Sequence, residues 1–213
     1  MSTSKRYIPL LILLLFPLTV FVCDYLLISS DYYVEESLRK IEEEWAAKGE
    51  DISDMTDMTK AVLKNPGYTL SISFYHALRT LRNLFLLNLL IFVSLLLILE
   101  RPLHIKKFLE LVSFPVLILI LGWGVNTILK FALLQLNTFT NLQMFVKVET
   151  GTAIHALMQN MELFSIVYLI WLSLNVSKDS NEKFFTIAFV VFGNFLISIS
   201  SSVLIGFDFM LVS

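Results

Sequence analysis

The chain has 213 residues, of which 56% are hydrophobic and 16% are charged, and its mean hydropathy is +0.75. A soluble domain of this length would have to bury several uninterrupted apolar runs at once, and its few charged residues could not cover the remaining surface. The net charge of -2 excludes nucleic-acid binding, which requires a concentrated basic face. The composition therefore indicates a helical membrane protein whose solvent is the lipid bilayer.

The first apolar run follows Lys5 and Arg6 and predicts a membrane helix over residues 7–28. No small-x-small cleavage site follows the run, so we interpret it as a retained signal anchor rather than a cleaved signal peptide. Cys23, the single cysteine, lies in this run, which excludes an intrachain disulfide and indicates a small buried hydrophobe.

Residues 31–75 are rich in charge and predict an extracytoplasmic, amphipathic helical segment. Apolar residues recur there at spacings of four, three and four, as on one face of a helix: Val34, Leu38, Ile41 and Trp45. A second short helix is expected from Ser53 or Asp54, with Met55, Met58 and Val62 on its apolar side. It is expected to end before Pro66-Gly67, and both stripes to pack together or lie at the membrane surface.

Four further spans are predicted, at residues 76–99, 108–132, 154–176 and 184–207. The span at residues 108–132 is interrupted by Pro115, Gly122 and Gly124, which predicts a kink or a close helix contact. The predicted architecture is a single all-α membrane domain over residues 1–213, a bundle of five transmembrane helices with the helical segment between the first two.

Basic residues in the short loops predict the orientation of this bundle. With five spans, the N-terminus and the loops at residues 100–107 and 177–183 share one side and hold seven bases: Lys5, Arg6, Arg101, Lys106, Lys107, Lys178 and Lys183. The opposite segment, residues 31–82, needs fifty-two residues for the same number. The N-terminus is therefore expected in the cytoplasm and the C-terminus outside it.

Polar side chains inside the spans form the candidate site, because an ionisable group in hydrocarbon costs about 2.5–3.5 kcal/mol and usually faces protein. Counting ~1.5 Å per residue from the cytoplasmic ends places five of them ~21–30 Å deep. They are Arg82, Asn126, Lys130, Glu162 and Ser198. The hypothesis is that Glu162 pairs with Arg82 or Lys130, as a structural lock or as part of a proton or substrate path.

A second group of small or amide residues recurs at four-residue intervals, which is typical of close helix approach. Its members are Gly122, Asn194, Ser202 and Gly206. His155, Gln159 and Glu162 share an i, i+4, i+7 pattern. Two ligands on one helix do not close a tetrahedral site, so no metal and no cofactor is expected.

No catalytic signature is present in the sequence. The chain lacks a Gly-x-Ser-x-Gly elbow, a Walker loop, a His-Glu-x-x-His pair and a Gly-x-Gly-x-x-Gly turn. The protein is therefore expected not to be an enzyme, with a membrane-embedded enzyme as the least favoured alternative.

The order of these elements resembles the Yip family, the Ypt/Rab-interacting membrane proteins and their bacterial relatives. The residues that carry the resemblance are Leu163-Phe-Ser-Ile166 and the segment Phe108-Leu-Glu-Leu-Val-Ser-Phe-Pro115 after a basic loop, and it covers most of residues 6–207. The resemblance implies a bacterial cytoplasmic (inner) membrane protein and, as for some bacterial relatives, an ABC-type exporter as partner. Only residues 1–6 precede the first span, so the Rab-binding role is not carried over. Leu174-Asn-Val176 stands where relatives often have a glycine.

The expected function is that of a non-enzymatic scaffold or accessory component in membrane organisation or transport, with the lipid bilayer as its environment. The alternative is a transporter or exporter subunit that uses the intramembrane Arg/Lys–Glu cluster. A water-filled cavity that reaches Glu162 would favour transport, whereas a dry, closed pair would favour a structural lock.

Overall fold

The computed structural model describes residues 7–48, 53–99, 103–134, 158, 161–205 and 211. Within these ranges the fold is all-helical, without strands, which confirms the predicted fold class at that level. The helices are α1 (Ile8–Ile28), α2 (Asp31–Lys48), α3 (Ser53–Leu63), α4 (Pro66–Ile98), α5 (Ile105–Leu133), α6 (Leu163–Ser180) and α7 (Phe184–Ile205).

Four described helices are long and apolar enough to cross a membrane: α1, α4, α5 and the segment Phe184–Ser201 of α7. They are consistent with an integral membrane protein. Helix α6 is 18 residues long, but its last turn contains Lys178 and Asp179, which lower its mean hydropathy. Four helices of spanning character are thus established, one fewer than the predicted five.

Five of the helices form a closed ring. Helix α1 packs between α4 and α5, α6 packs between α5 and α7, and α7 packs against α4. Fully buried apolar side chains fill the ring: Phe16, Val20, Leu87, Ile91, Leu95, Val116, Leu119, Leu169, Leu172, Val176, Ile187, Val191, Phe195 and Ile199. The outer faces carry exposed leucine, isoleucine and phenylalanine, as expected of helices that face lipid.

The charged segment forms a helical hairpin of α2 and α3. Val34 and Leu38 of α2 pack with Leu63 of α3 in a small apolar cluster of their own. On the predicted apolar side of α3, Met58 (74% exposed) and Val62 face outward, which leaves them available to the membrane surface rather than packed on α2. The helix turns its Leu63 face to α2 instead, and this face lies about 100° around the helix from Val62.

Helix α4 begins ten residues before the predicted second span, at Pro66 rather than residue 76. The Pro66-Gly67 pair, which the sequence suggested as a break, is the first turn of this helix. Proline is favoured at the first helical position because its fixed φ fits and its missing N–H needs no partner there. Asn65 caps the helix by accepting a hydrogen bond from the Gly67 backbone N–H at 2.8 Å.

Helix α6 also differs from the span predicted at residues 154–176. It begins at Leu163, with Glu162 as its N-cap in extended conformation (φ -103°, ψ 141°), so Glu162 lies at the helix terminus instead of inside the helix. It continues to Ser180, into the predicted loop, and ends at Asn181 with φ 60°. Asparagine tolerates this left-handed conformation, which explains the stop. Residues 154–157 and 159–160 lie outside the described ranges.

Gly122 allows α5 and α6 to approach closely. A Cβ atom at Gly122 would lie 2.8 Å from Cγ and 2.9 Å from Cβ of Phe164, too close for van der Waals contact. A Cβ atom at Gly124, about one half-turn away, would have no neighbouring atom within 4 Å. The two glycines therefore form a matched pair of positions.

We expect Gly122→Ala to lower the free energy of unfolding by about 1–3 kcal/mol through overpacking against Phe164. Gly124→Ala should leave stability unchanged or raise it by up to about 1 kcal/mol, because alanine favours the helix. Unfolding by SDS titration from detergent micelles measures both. Equal stability of the two variants would contradict the close contact.

Candidate functional site

The candidate site lies at the end of the ring where α1 and α5 terminate and α4 begins. Asp24 is the single charged residue of α1 and is only 7% exposed. Its Oδ2 lies 2.8 Å from Nδ1 of His76 on α4. A buried carboxylate is costly unless it is paired, so this contact accounts for the acid in an otherwise apolar helix.

Lys130 of α5 completes the group. Its side chain is 9% exposed, and its ammonium lies near enough to the Asp24 carboxylate for their charges to interact. Cys23, next to Asp24, lies close to the side chain of Thr127, one turn from Lys130 on α5. Asp24, His76 and Lys130, the Asp24 cluster, therefore connect three helices of the ring.

Tyr33 connects this cluster to the hairpin. Burial raises the pKa of the Tyr33 hydroxyl, the nearby Ser37 side chain lowers it, and the negative charge of Asp24 raises it. The hydroxyl is therefore protonated at neutral pH. Since Tyr33 and Tyr68 also pack on the Val34–Leu38–Leu63 cluster, the polar cluster borders the apolar contacts of the hairpin.

Glu162 forms a separate polar contact between α5 and α6. Its Oε2 accepts hydrogen bonds from the backbone N–H and the hydroxyl of Ser165, at 3.2 and 3.3 Å. Its Oε1 accepts one from the Asn126 side chain at 3.3 Å. Glu162 is 2% exposed, and its carboxylate also lies at the positive end of the α6 dipole.

The sequence-predicted residues thus fall into different surroundings. Asn126 meets Glu162, whereas the described charge partner of Lys130 is Asp24. Arg82 is exposed and donates to the Asn83 side chain at 3.2 Å, and Ser198 donates to the Asn194 carbonyl at 2.8 Å. The pairing of Glu162 with Arg82 or Lys130 stays a prediction.

The predicted packing residues have equally specific positions. Asn194 of α7 donates to the Ser94 hydroxyl of α4 at 3.0 Å and to the Val190 carbonyl at 2.9 Å. Gly122 is the close-contact site against Phe164. Ser202 lies in α7, but its side chain, like Gly206, His155 and Gln159, lies outside the described part.

A further buried hydrogen bond crosses the interior. The Tyr168 hydroxyl of α6 donates to Asn88 Oδ1 of α4 at 2.7 Å, and Asn88 Nδ2 donates to the Leu84 carbonyl at 2.8 Å. Since both side chains are buried and each is hydrogen-bonded, the contact sets the relative register of two helices that are not neighbours in the ring.

The sequence interpretation missed Asp24 and His76. The available signal was the acid at position 24, which interrupts a run that hydropathy averaging treats as uniformly apolar. Its partner is 52 residues away and falls on the predicted boundary of the second span, so no local spacing connects them. Across the described ranges, no three His, Cys, Asp or Glu side chains come together as a metal-binding group.

Together these features define an all-helical protein with four helices of membrane-spanning character and a buried, ionisable cluster at one end. No family model matches the chain, and neither a curated protein nor a solved structure shows significant similarity to it.

Glu162 provides a test of the described contacts. Glu162→Ala removes the cap of α6 and the acceptor of Asn126, so we expect stability in detergent to fall by roughly 1–3 kcal/mol. Glu162→Gln keeps one amide oxygen that can cap α6 through Ser165, and its NH2 group can donate to the Asn126 oxygen once that side-chain amide turns over, so the loss should stay under about 1 kcal/mol. An equal loss in both variants, measured by SDS or thermal unfolding, would contradict a capping role and favour an ion pair with Arg82 or Lys130.

Proposed function

We propose that the chain is an integral membrane protein with five spans, in which α6 is the fourth. Support comes from the position of α6 in the ring, where it packs between two helices of spanning character. Its inner face is as deeply buried as theirs, with Tyr168, Leu169, Leu172 and Val176 all inaccessible. Without α6 these faces of α5 and α7 would be left unpaired.

Under this proposal the N-terminus and the short loops lie in the cytoplasm, and the α2–α3 hairpin and the C-terminus lie outside. The basic loop residues support this orientation through the positive-inside rule. The proposed location is the bacterial cytoplasmic membrane, as the resemblance to the Yip family suggests. The Asp24 cluster then lies at the outer end of the bundle.

Thiol labelling tests this topology, since Cys23 is the only natural cysteine. In a Cys23→Ser background, Met58→Cys should react with a membrane-impermeant maleimide in intact cells with a permeabilised outer membrane. His104→Cys and Lys183→Cys, both exposed, should react only after lysis. Cys23→Ser alone is the unlabelled control. Outside labelling of Lys183→Cys would mean that α6 does not cross the membrane.

The proposed function is that of a non-enzymatic scaffold or accessory component in membrane organisation or transport. The observation that carries it is the filled interior of the ring. From Leu87 to Leu95 on α4, the described inward side chains are apolar and inaccessible, apart from Asn88, which is held by Tyr168. A path for ions or polar solutes would need polar or wet walls at this depth. A Yip-like accessory role beside an ABC-type exporter is consistent with such a closed bundle.

One observation favours a second candidate, a transporter or exporter subunit. The Asp24 cluster places a carboxylate, an imidazole and an ammonium together at the ends of three helices. Ionisable groups in such positions often belong to proton or ion pathways. Unlike the scaffold, this candidate requires the apolar interior to open during its cycle.

Reconstituted proteoliposomes loaded with a pH-sensitive dye separate the two candidates. The scaffold should give the same proton leak as empty liposomes under a pH gradient, and should co-purify from native membranes in mild detergent with subunits of an ABC-type exporter. Proton flux that is lost in Asp24→Asn would contradict the scaffold and favour transport. Recovery of the chain without an exporter subunit would contradict the proposal that an ABC-type exporter is its partner.

A further inference from the structure

We propose that the Asp24 cluster is a proton-binding site that couples the pH outside the bundle to the packing of the α2–α3 hairpin. The site combines one acid, Asp24, with two bases. His76 is in hydrogen-bond contact with Asp24, and Lys130 interacts with it through charge. The Asp24 side chain is nearly enclosed, whereas the His76 side chain is 36% exposed. The imidazole therefore gives the buried carboxylate an accessible proton acceptor.

The charge balance of the cluster changes when His76 is protonated. With neutral His76, Nδ1–H donates to Asp24, and the carboxylate balances the charge of Lys130. With cationic His76, two cations share one carboxylate, so the net charge of the site rises from zero to +1. Because uncompensated charge is costly in a buried site, this state favours opening toward water.

The hairpin is the element that such opening would move. Helix α2 contributes Tyr33, which is close enough to Asp24 for charge interaction, and Lys40, whose positive charge already opposes that of Lys130. A second cation at His76 adds to the positive charge of the cluster that Lys40 already faces through Lys130. The ring helices are joined by extensive apolar packing, whereas α2 and α3 pack on each other through the small Val34–Leu38–Leu63 cluster, which meets the ring through Tyr68 of α4. The weaker contact should yield first.

Among the described side chains, Asp24 is the acid that hydrogen-bonds His76. Other titratable or charged groups lie on α4 itself (Tyr68, Tyr75, whose ring centroid lies 5.9 Å from that of the imidazole, and Arg79), on α1 (Cys23 and Tyr25), on α2 (Tyr33, Arg39, Lys40 and the acids Asp31, Glu35, Glu36, Glu42 and Glu43), on α3 (Asp57 and Lys60) and on α5 (Lys130). Of the α2 acids, Glu36 and Glu43 pair with Arg39, and Asp31 pairs with Lys64. Helix α7, which also packs against α4, contains no charged residue. Asp24 is therefore the carboxylate that responds to His76.

Trp45 of α2 is half-buried, so its emission is a probe of the surroundings of the hairpin. We would record tryptophan emission of the full chain in nanodiscs between about pH 8 and pH 5, the interval in which imidazole changes charge. The contribution of Trp45 is the part that is lost in Trp45→Phe. Acidification should shift this part to longer wavelength, as the indole becomes exposed to water.

Four variants test the assignment. His76→Gln keeps a hydrogen-bond donor for Asp24 but does not titrate, and it should abolish the shift. Lys130→Gln removes the competing cation, so protonated His76 has Asp24 to itself, and the shift should also be lost. Asp24→Asn should remove it as well. His104→Gln, an exposed histidine that makes no side-chain cap bond, is the matched control and should behave as the wild type.

Several results would overturn the proposal: no pH-dependent Trp45 emission in the wild type, a shift that persists in His76→Gln or Lys130→Gln, or one that disappears in His104→Gln. Circular dichroism and gel filtration establish that each variant is folded, and His76→Gln and Lys130→Gln decide the outcome if Asp24→Asn is not. The proposal does not depend on proton flux, so the liposome assay can fail or succeed independently of it.

Discussion

A carboxylate buried at the end of an apolar helix must find positive charge or hydrogen-bond donors, and the position of Asp24 imposes this requirement on the whole bundle. Asp24 meets it through His76 of α4 and Lys130 of α5. These are the two helices between which α1 packs. Apolar surfaces alone would allow α1 to slide or rotate against them, whereas the polar contact selects one register.

Polar contacts also align the other helices of the ring. Glu162 links α6 to α5 through Asn126, and Tyr168 links α6 to α4 through Asn88. The Ser94–Asn194 pair links α4 to α7. Apolar contact supplies most of the buried area, while a few side-chain hydrogen bonds determine how the helices align. Apolar packing therefore holds the helices together, and the polar contacts determine their alignment.

The helices could be predicted from the sequence because long apolar runs and a 3.6-residue period are local properties. The start of α4 could not, since Pro66-Gly67 is compatible with both a break and a first turn, and the Asn65 cap decides between them. The periodicity around Glu162 similarly suggested a continuous helix. Glutamate is not among the preferred N-cap residues, so nothing in the sequence marked the terminus there.

The candidate site was harder to predict than the fold. Depth counting placed both Lys130 and Glu162 at least ~21 Å from the cytoplasmic ends of their spans, but it gives no information on which helices are neighbours. Lys130 interacts with Asp24 because α5 packs against α1, a contact between elements distant in sequence. Asp24 itself was hidden by the hydropathy of its surroundings. Identifying such a pair requires the helix order in the ring, which composition and spacing do not contain.

Helix α4 gives the molecule a mechanical property. Its 33 residues correspond to about 50 Å, against a hydrocarbon thickness of about 30 Å, and proline occurs only in its first turn. By contrast, α1 and α5 carry proline in their interiors, at Pro17 and Pro115. If α4 tilts as one rigid body, a tilt of about 5° about one end displaces the other by about 4 Å. The end of α4 next to the hairpin and its opposite end would then shift together.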